Sequence, residues 1–313
     1  GSRSAAWTAV ASYDEDSTTM AVEAGRRLLR TTDVEPTALA FSTANPPYLD
    51  KTNATAVHAA LRLPSNVPAY DMVGSARSGI GALLGACTSG GAAMVTTADV
   101  RTGLPGSADE RDGGDGAAAL LIGDDHDGPV LAEFIGCGSA TAEFLDRWRT
   151  PGSSASKVWE ERFGEHAYLP LVEQAMKAAF ESSGVDPATV DQVILTGLSA
   201  RAVRGSGRLV GQSGEVADDL STVIGNTGTA HPGLLLASVL DRAEPGQTIA
   251  MVVLADGCDV LLFRTTDAIA SYTPADPVAD QIAAGNDGLE YLSLIHISEP
   301  TRPSKSSRMP ASA

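Results

Sequence analysis

One pattern occurs twice in this chain, and it limits the possible folds more than any other feature of the sequence. In each copy a helix pattern leads into a small-residue turn, a valine–acid–proline sequence and a short apolar run. The first copy passes through Thr32-Asp-Val-Glu-Pro36 to residues 38–43, and the second through Ser183-Gly-Val-Asp-Pro187 to residues 192–196. Helices that alternate with buried strands predict an α/β protein of two similar βαβαβ-type halves with mixed, mostly parallel central sheets.

The remaining apolar runs complete this expectation. Residues 117–122 and 129–137 are interpreted as two paired strands, and a helix is expected near residues 216–223. Residues 248–254 and 260–264 are interpreted as a closing hairpin. The predicted division is a first half at 1–137, a connection at 138–164, a second half at 165–270 and a linker at 271–291.

The two ends of the chain do not look native. The chain starts at Gly1-Ser-Arg without a methionine, and the first half lacks a recognisable first strand. The run Leu292-Ser-Leu-Ile-His-Ile-Ser-Glu-Pro-Thr-Arg302 looks like translated sequencing-adapter DNA. We therefore interpret residues 292–313 as an artefact that is expected to be disordered, and the rest as a fragment that is truncated at its start.

The charge and the cysteines exclude several classes of function. The formal net charge of −17 argues against nucleic-acid and anionic-membrane partners. No apolar run has the length of a membrane span. Cys87, Cys137 and Cys258 are odd in number and lack metal-ligand spacing, so no metal site is predicted and a reducing, cytoplasmic location is expected.

A strand, a tight turn and a helix start follow one another at Ala69-Tyr-Asp-Met-Val-Gly-Ser-Ala-Arg-Ser-Gly79. This arrangement presents a side chain at the positive N-terminus of a helix, where a nucleophile is easily activated. A second turn-like sequence, Ala86-Cys-Thr-Ser-Gly90, lies at the other end of that helix. Because a helix C-terminus raises a thiol pKa, Cys87 is predicted to be a packing or surface residue.

The strand–turn–helix stretch resembles the nucleophile turn of hydroxymethylglutaryl-CoA synthase and its thiolase-fold relatives, which read Asp, four residues, Cys and a Gly-rich helix start. Four further segments resemble that family: Asp146-Arg-Trp-Arg-Thr-Pro-Gly152, Leu169-Pro-Leu-Val172, Gly225-Asn-Thr-Gly-Thr229 and Gly246-Gln-Thr-Ile249. The resemblance covers residues 14 to 265. It implies a thiolase-like fold, which also contains two similar halves.

The resemblance also implies a catalytic set, most of which is substituted here. In the family a Cys forms a thioester with the acyl group, a Glu is the general acid/base, and a His and an Asn handle the oxyanion and the second substrate. The Cys position falls on Ala76, the Glu position on Ala44, and the His position on Thr196 or Gly197. Only the Asn is present, as Asn226. The resemblance therefore does not support the covalent reaction.

Four other residues are candidates for roles in the site. His231 lies in the loop of the family asparagine, as a structural residue or as a general base or oxyanion donor. Arg77 either binds a substrate carboxylate or thioester oxygen, or forms a salt bridge with the acidic loop 109–116. Arg201 and Arg204 follow the second-half strand, where the family binds coenzyme A phosphates, and the alternative is a solvated turn.

Two hypotheses of function follow. In the first, the protein binds an acyl-CoA or related thioester as substrate, is acyltransferase-type by family, holds no permanent cofactor, and performs non-covalent aldol or retro-aldol chemistry through Asn226 and His231. In the second, it is an inactive scaffold that pairs with an OB-fold/zinc-ribbon partner. The family dimerises through its sheet, so a homodimer is expected in both cases. Convergent polar groups in the pocket around Ala76, Ala44, Asn226 and His231 would favour the enzyme, and a filled, apolar pocket would favour the scaffold.

Overall fold

The computed structural model describes residues 7–159 and 161–285. The adapter-like tail at 292–313 lies outside the described residues. The first half consists of α1 (Ser17–Leu29), β1 (Ala38–Thr43), α2 (Ala54–Ala60), β2 (Ala69–Val73), α3 (Ala76–Thr88), β3 (Ala93–Asp99), α4 (Ala108–Asp112) and β4 (Gly116–Ile122).

The second half begins with β5 (Ala132–Thr141). A two-stranded ribbon, β6 (Arg147–Trp148) and β7 (Lys157–Val158), then leads into α5 (Glu161–Ser183). The remaining elements are β8 (Gln192–Gly197), α6 (Ala200–Val210), β9 (Glu215–Val216), α7 (His231–Leu240), β10 (Thr248–Leu254), β11 (Gly257–Thr265) and α8 (Val278–Ala283).

The two sheets share one topology, which confirms the prediction of two similar halves. The first sheet has the strand order β2-β1-β3-β4, with β4 antiparallel to β3. The second has the order β9-β8-β10-β11-β5, with β11 antiparallel to both of its neighbours. Four strands of each sheet therefore correspond in order and direction, and the repeated valine–acid–proline turn precedes β1 in one half and β8 in the other.

The predicted pairing of residues 117–122 with 129–137 is wrong. These segments are β4 and β5, and they belong to different sheets: β4 pairs with β3, whereas β5 pairs with β11. The reason is packing, because β5 lies against α5 in the second-half core. The predicted boundary at residue 137 consequently falls inside a strand of the second sheet.

The predicted helix at residues 216–223 is also absent, because short polar side chains hold the backbone in turns. The carboxylate of Asp218 accepts from the Leu220 N–H, and that of Asp219 accepts from the Ser221 N–H. Such local bonds compete with helix formation. Leu220 has a φ of 53°, which a right-handed helix excludes.

Helices α3 and α7 pack between the two sheets, and α1 and α5 cover the outer faces. Ile80 and Leu83 of α3 and Leu235 of α7 share one apolar cluster with strands β8, β10 and β11. This layering brings the N-terminus of α3 to the ends of strands from both halves. Among the described helices, none is long and apolar enough to cross a membrane.

Candidate active site

The turn before α3 forms as the sequence predicts. Gly74 has a φ of 128°, which an L side chain rarely adopts, and Ala76 begins the helix. Gly79 lets this helix approach the second half, because a Cβ there would lie 2.9 Å from the Thr229 Cγ2. The carboxylate of Asp71 accepts from the Asn53 and Ala54 N–H groups at the start of α2, so this acid caps a helix.

A cavity of about 10 Å³ lies beside Ala76. It is lined by Ala76, Thr196, Gly197, Leu198, Asn226, Gly228, Pro232, Val253 and Leu254. The structure therefore brings together the positions that the resemblance assigns to the Cys, the His and the Asn. Ala44 is not part of this lining. The space beside Ala76 is about what one water molecule needs.

The side chain of Asn226 is engaged with backbone groups at the cavity wall. Its Nδ2 donates to the Gly197 oxygen at 3.1 Å, and its Oδ1 accepts from the Gly228 N–H at 2.9 Å. Its own N–H donates to the Asp112 oxygen, and its oxygen accepts from the Gly114 N–H. Asn226 therefore joins the end of β8, the Gly228 turn and the acidic loop of the first half.

The carboxylate of Asp99, at the end of β3, joins the two halves, and the sequence analysis missed it. Its Oδ1 accepts from the Thr43 hydroxyl at 2.8 Å and the Ala44 N–H at 2.7 Å. Its Oδ2 accepts from the N–H of Thr229 at 2.7 Å and from its hydroxyl at 2.8 Å. The residue is buried and all four acceptor positions are occupied. An acid at the end of a run of apolar and threonine residues was the available signal.

Two hydrogen bonds engage the backbone of Ala44, the residue to which the resemblance assigns the family Glu. The N–H of Ala44 donates to Asp99, and its oxygen accepts from Arg149 Nη2 at 2.7 Å. Its methyl group supplies no acid or base.

An ionic cluster lies next to Asp99 and involves the acidic loop. Arg147 forms a two-pronged pair with Asp109, and Arg101 Nη2 lies 3.5 Å from the same carboxylate. The Asp115 carboxylate accepts from the N–H groups of Arg101 and Ala11. Burial raises the pKa of Asp115 and lowers the pKa of the Arg101 guanidinium. The acidic loop is therefore paired with Arg101 and Arg147.

Arg77 is engaged with the second half. It pairs with Asp259 of β11, with Nε–Oδ2 at 2.8 Å and Nη2–Oδ1 at 3.2 Å, and its contact with a substrate oxygen stays a prediction. It also donates to the Asp256 oxygen and the Thr141 hydroxyl. Ser139 donates a further hydrogen bond to Asp259 at 2.6 Å. The residue that follows Ala76 thus attaches α3 to the second half.

His231 does not face the cavity as a free base. Its ring is buried: Nδ1 accepts from the Thr227 N–H at 3.3 Å, and Nε2 lies 2.9 Å from the Asp219 oxygen. Because a carbonyl can only accept, Nε2 carries the proton. Burial lowers the pKa of His231 to about 4. The ring is therefore neutral at pH 7 and holds a loop in place.

Arg201 and Arg204 lie on α6, which begins three residues after the end of β8. Arg201 Nε donates to Glu165 Oε2 at 2.6 Å, and this bond lowers the pKa of that carboxyl. Arg204 is exposed on the same helix. Neither side chain is part of the cavity lining.

The cysteines are packing residues in this structure. Cys87 lies in the last turn of α3, and burial, with a smaller effect of Cys137, raises its thiol pKa to about 11. The predicted rise of the Cys87 pKa is therefore correct, but its main cause is burial. Burial also raises the pKa of Cys258 to about 12. Within residues 7–159 and 161–285, no group of three or more His, Cys, Asp and Glu side chains could hold a metal ion.

Solved structures of similar architecture identify the fold of this protein. MvaS in complex with 3-hydroxy-3-methylglutaryl coenzyme A is 22% identical with a TM-score of 0.69, and the match covers 88% of this chain and 76% of that one. A 3-oxoacyl-(acyl carrier protein) synthase III from Pseudomonas aeruginosa is 16% identical with a TM-score of 0.66, over 81% and 84% of the two chains. The fold is therefore that of the thiolase-like enzymes.

Sequence relatives then give the family. The hydroxymethylglutaryl-CoA synthase of Aeropyrum pernix is 32% identical over 278 residues, which are 85% of this chain and 76% of the relative. That of Methanocaldococcus jannaschii is 30% identical over 273 residues, 83% of this chain and 78% of the relative. No protein-family model matches. The chain belongs to the hydroxymethylglutaryl-CoA synthase family.

We expect stability to fall in mild acid because of His231. A group whose pKa is lower in the folded state than its ordinary value of 6.5 contributes stability above that value and loses it as the pH falls towards 4. The free energy of unfolding attributable to this ring should be roughly 2 kcal/mol lower at pH 5 than at pH 7. Urea unfolding at both pH values measures the difference. A His231→Gln variant with the same pH dependence as the parent protein would show that another group is responsible.

Proposed function

We propose that this protein is a non-catalytic scaffold of the hydroxymethylglutaryl-CoA synthase family. The observation that carries the proposal is the cavity at Ala76, which measures about 10 Å³ and whose lining is mostly apolar side chains and glycine. A largely filled, apolar pocket is the result expected for a scaffold.

The chemistry of the surrounding side chains supports the same proposal. Nucleophilic catalysis needs a nucleophile within hydrogen-bond reach of a base. Ala76 and Ala44 supply neither group, and both ring nitrogens of His231 contact other atoms of its own loop region. The thiol of Cys87, with a pKa raised to about 11, is a poor nucleophile at neutral pH.

The protein should therefore form no acyl-enzyme. Incubation with acetyl-CoA followed by intact-mass spectrometry should show the unmodified chain, because no activated nucleophile lies next to the site. A Cys87→Ser variant is the matched control, since it removes the thiol nearest to the family motif. An acetyl adduct that persists in this variant would refute the proposal.

The scaffold role includes a homodimer, for which the β2 edge of the first sheet is the proposed interface. Tyr70, Met72 and Val73 of β2 are exposed, and in the described part of the chain no strand pairs with the outer edge of β2. Exposed apolar side chains on an open strand edge favour association. The resemblance adds an OB-fold/zinc-ribbon protein as the second partner, and the cysteine pattern adds a cytoplasmic location.

Light scattering after size-exclusion chromatography should give twice the chain mass of 32.1 kDa. Replacing Tyr70 and Met72 by Asp should give the mass of one chain, because charges at the edge oppose pairing. Val216→Asp, at the exposed edge of the second sheet, is the control and should remain dimeric. If the parent protein has the mass of a single chain, the dimer is contradicted. A mass increase after an OB-fold protein is added would support that partner.

A second candidate function is binding of a coenzyme A thioester, which Arg201 and Arg204 favour. Guanidinium groups bind phosphates well, and both lie on a helix that begins beside the cavity. The solved relatives named above include a complex with 3-hydroxy-3-methylglutaryl coenzyme A. Any chemistry would be non-covalent, of the aldol or retro-aldol type, and would require Asn226 and His231 to exchange their present contacts for substrate.

Calorimetry with acetyl-CoA distinguishes this candidate from the scaffold alone. If coenzyme A binds, Arg201→Ala and Arg204→Ala should each weaken binding about tenfold, as expected for loss of a charged hydrogen bond. Arg208→Ala, in the last turn of the same helix, should have a smaller effect. Absence of binding in a folded protein would eliminate this candidate and leave the scaffold role intact.

A further inference from the structure

Two of the cysteines, Cys87 and Cys137, belong to different halves of the protein and contact the same apolar cluster. Cys87 lies in the last turn of α3, and Cys137 lies in β5. Both are partly exposed free thiols that pack against the cluster of Ile80, Leu83 and Leu261. The functions proposed above give neither thiol a role.

The side chain of Cys137 points into the layer between the two sheets. The next residue, Gly138, faces α5, because a Cβ there would lie 2.2 Å from the Ala175 oxygen. Successive residues of a strand face opposite sides of the sheet, so Cys137 faces the side on which α3 and α7 lie. Leu261, the partner of Cys137 on β11, belongs to the cluster on that side.

Cys87 lies on the face of α3 that packs against the second half. Ile80 and Leu84 both contact the cluster, and Cys87 follows Leu84 by three residues and Ile80 by seven. Residues at these spacings share one face of a helix. The side chain of Cys87 is therefore on the side of α3 that faces the second sheet.

One hydrogen bond fixes the position of α3 along β5. Arg77, in the first turn of α3, donates from Nη2 to the hydroxyl of Thr141, the last residue of β5, at 2.8 Å. The later residues of the helix and the earlier residues of the strand both lead away from this contact. Cys87 lies ten residues beyond Arg77, which is about 15 Å along a helix. Cys137 lies four residues before Thr141, which is about 13 Å along a strand. The two thiols are therefore at nearly the same level, on facing surfaces of α3 and β5.

The pKa of Cys87 agrees with this placement. Burial is the main cause of its rise to about 11, and the charge of Cys137 adds to the rise. A like charge opposes the ionisation of a group when the two lie close together. The third cysteine, Cys258, packs in the other cluster of the second half, against α5.

We propose that Cys87 and Cys137 form a modification site, at which a small disulfide such as oxidised glutathione converts the two thiols into a disulfide that links the two halves. The thiolate of one cysteine attacks the glutathione disulfide and releases one glutathione, and the thiolate of the other then attacks the mixed disulfide and releases the second. The protein loses two electrons and two protons, which the two glutathione thiols gain. Because Arg77 already pairs with Asp259, the link fixes α3 to the second half at both of its ends. The inference does not depend on the proposed scaffold function.

Intact-mass spectrometry of the folded full chain after incubation with oxidised glutathione tests this assignment. We expect a species that is lighter by two hydrogen atoms, and dithiothreitol should restore the original mass. A peptide map without reductant should join the peptide of Cys87 to that of Cys137. A chain that keeps all its thiols, carries only glutathione adducts, or joins Cys258 to either of the other two would overturn the proposal.

Three variants and a stability measurement locate the link. Cys87→Ser and Cys137→Ser should each abolish the internal disulfide, whereas Cys258→Ala, the matched control, should form it as the parent chain does. The linked parent chain should unfold at a higher urea concentration than the reduced chain, because a link between the halves restricts the unfolded chain. An unchanged urea midpoint, or an internal disulfide in Cys137→Ser, would show that the halves are not joined at this site.

Discussion

The buried carboxylate of Asp99 is the interaction on which the rest of the site depends. A buried charge is costly unless it is fully hydrogen-bonded, and this one accepts four hydrogen bonds. Two come from the end of β1, at Thr43 and Ala44, and two come from Thr229 of the second half. Separating the halves would break the two hydrogen bonds from Thr229, so this carboxylate holds the two strand ends and the Thr229 loop together.

This contact imposes close approaches that only glycine permits. Gly228 has a φ of 61°, and a Cβ there would lie 2.2 Å from Asp99 Oδ2. At Gly114, a Cβ would lie 1.8 Å from the Ile224 oxygen. The loops of the two halves therefore meet backbone to backbone beside Asn226. Because the same loops line the cavity, the approach that joins the halves also limits the space at Ala76.

The sequence was sufficient to predict the structural elements that depend on local residue pattern and on their order along the chain. The valine–acid–proline turns and the apolar runs at 38–43 and 192–196 were enough to predict two α/β halves, and the motif around Ala76 predicted the strand, turn and helix. Pairing between distant segments was not predictable in this way. An apolar run such as β5 is compatible with either sheet, and only its packing on α5 decides. The side-chain partners of Arg77 likewise lie in the other half. Those of His231 lie in its own loop region, where the sequence pattern predicted a helix at residues 216–223.

The survival of Asn226 illustrates how a family residue and a catalytic residue differ. Of the four roles that the resemblance carries over, only this one keeps its residue type, which by itself suggests retained chemistry. The hydrogen bonds of the Asn226 side chain give a structural reason for its residue type. The amide donates to the Gly197 oxygen and accepts from the Gly228 N–H, and only a side chain with both a donor and an acceptor can do this. The fold therefore requires an asparagine-like group here whether or not a substrate is bound.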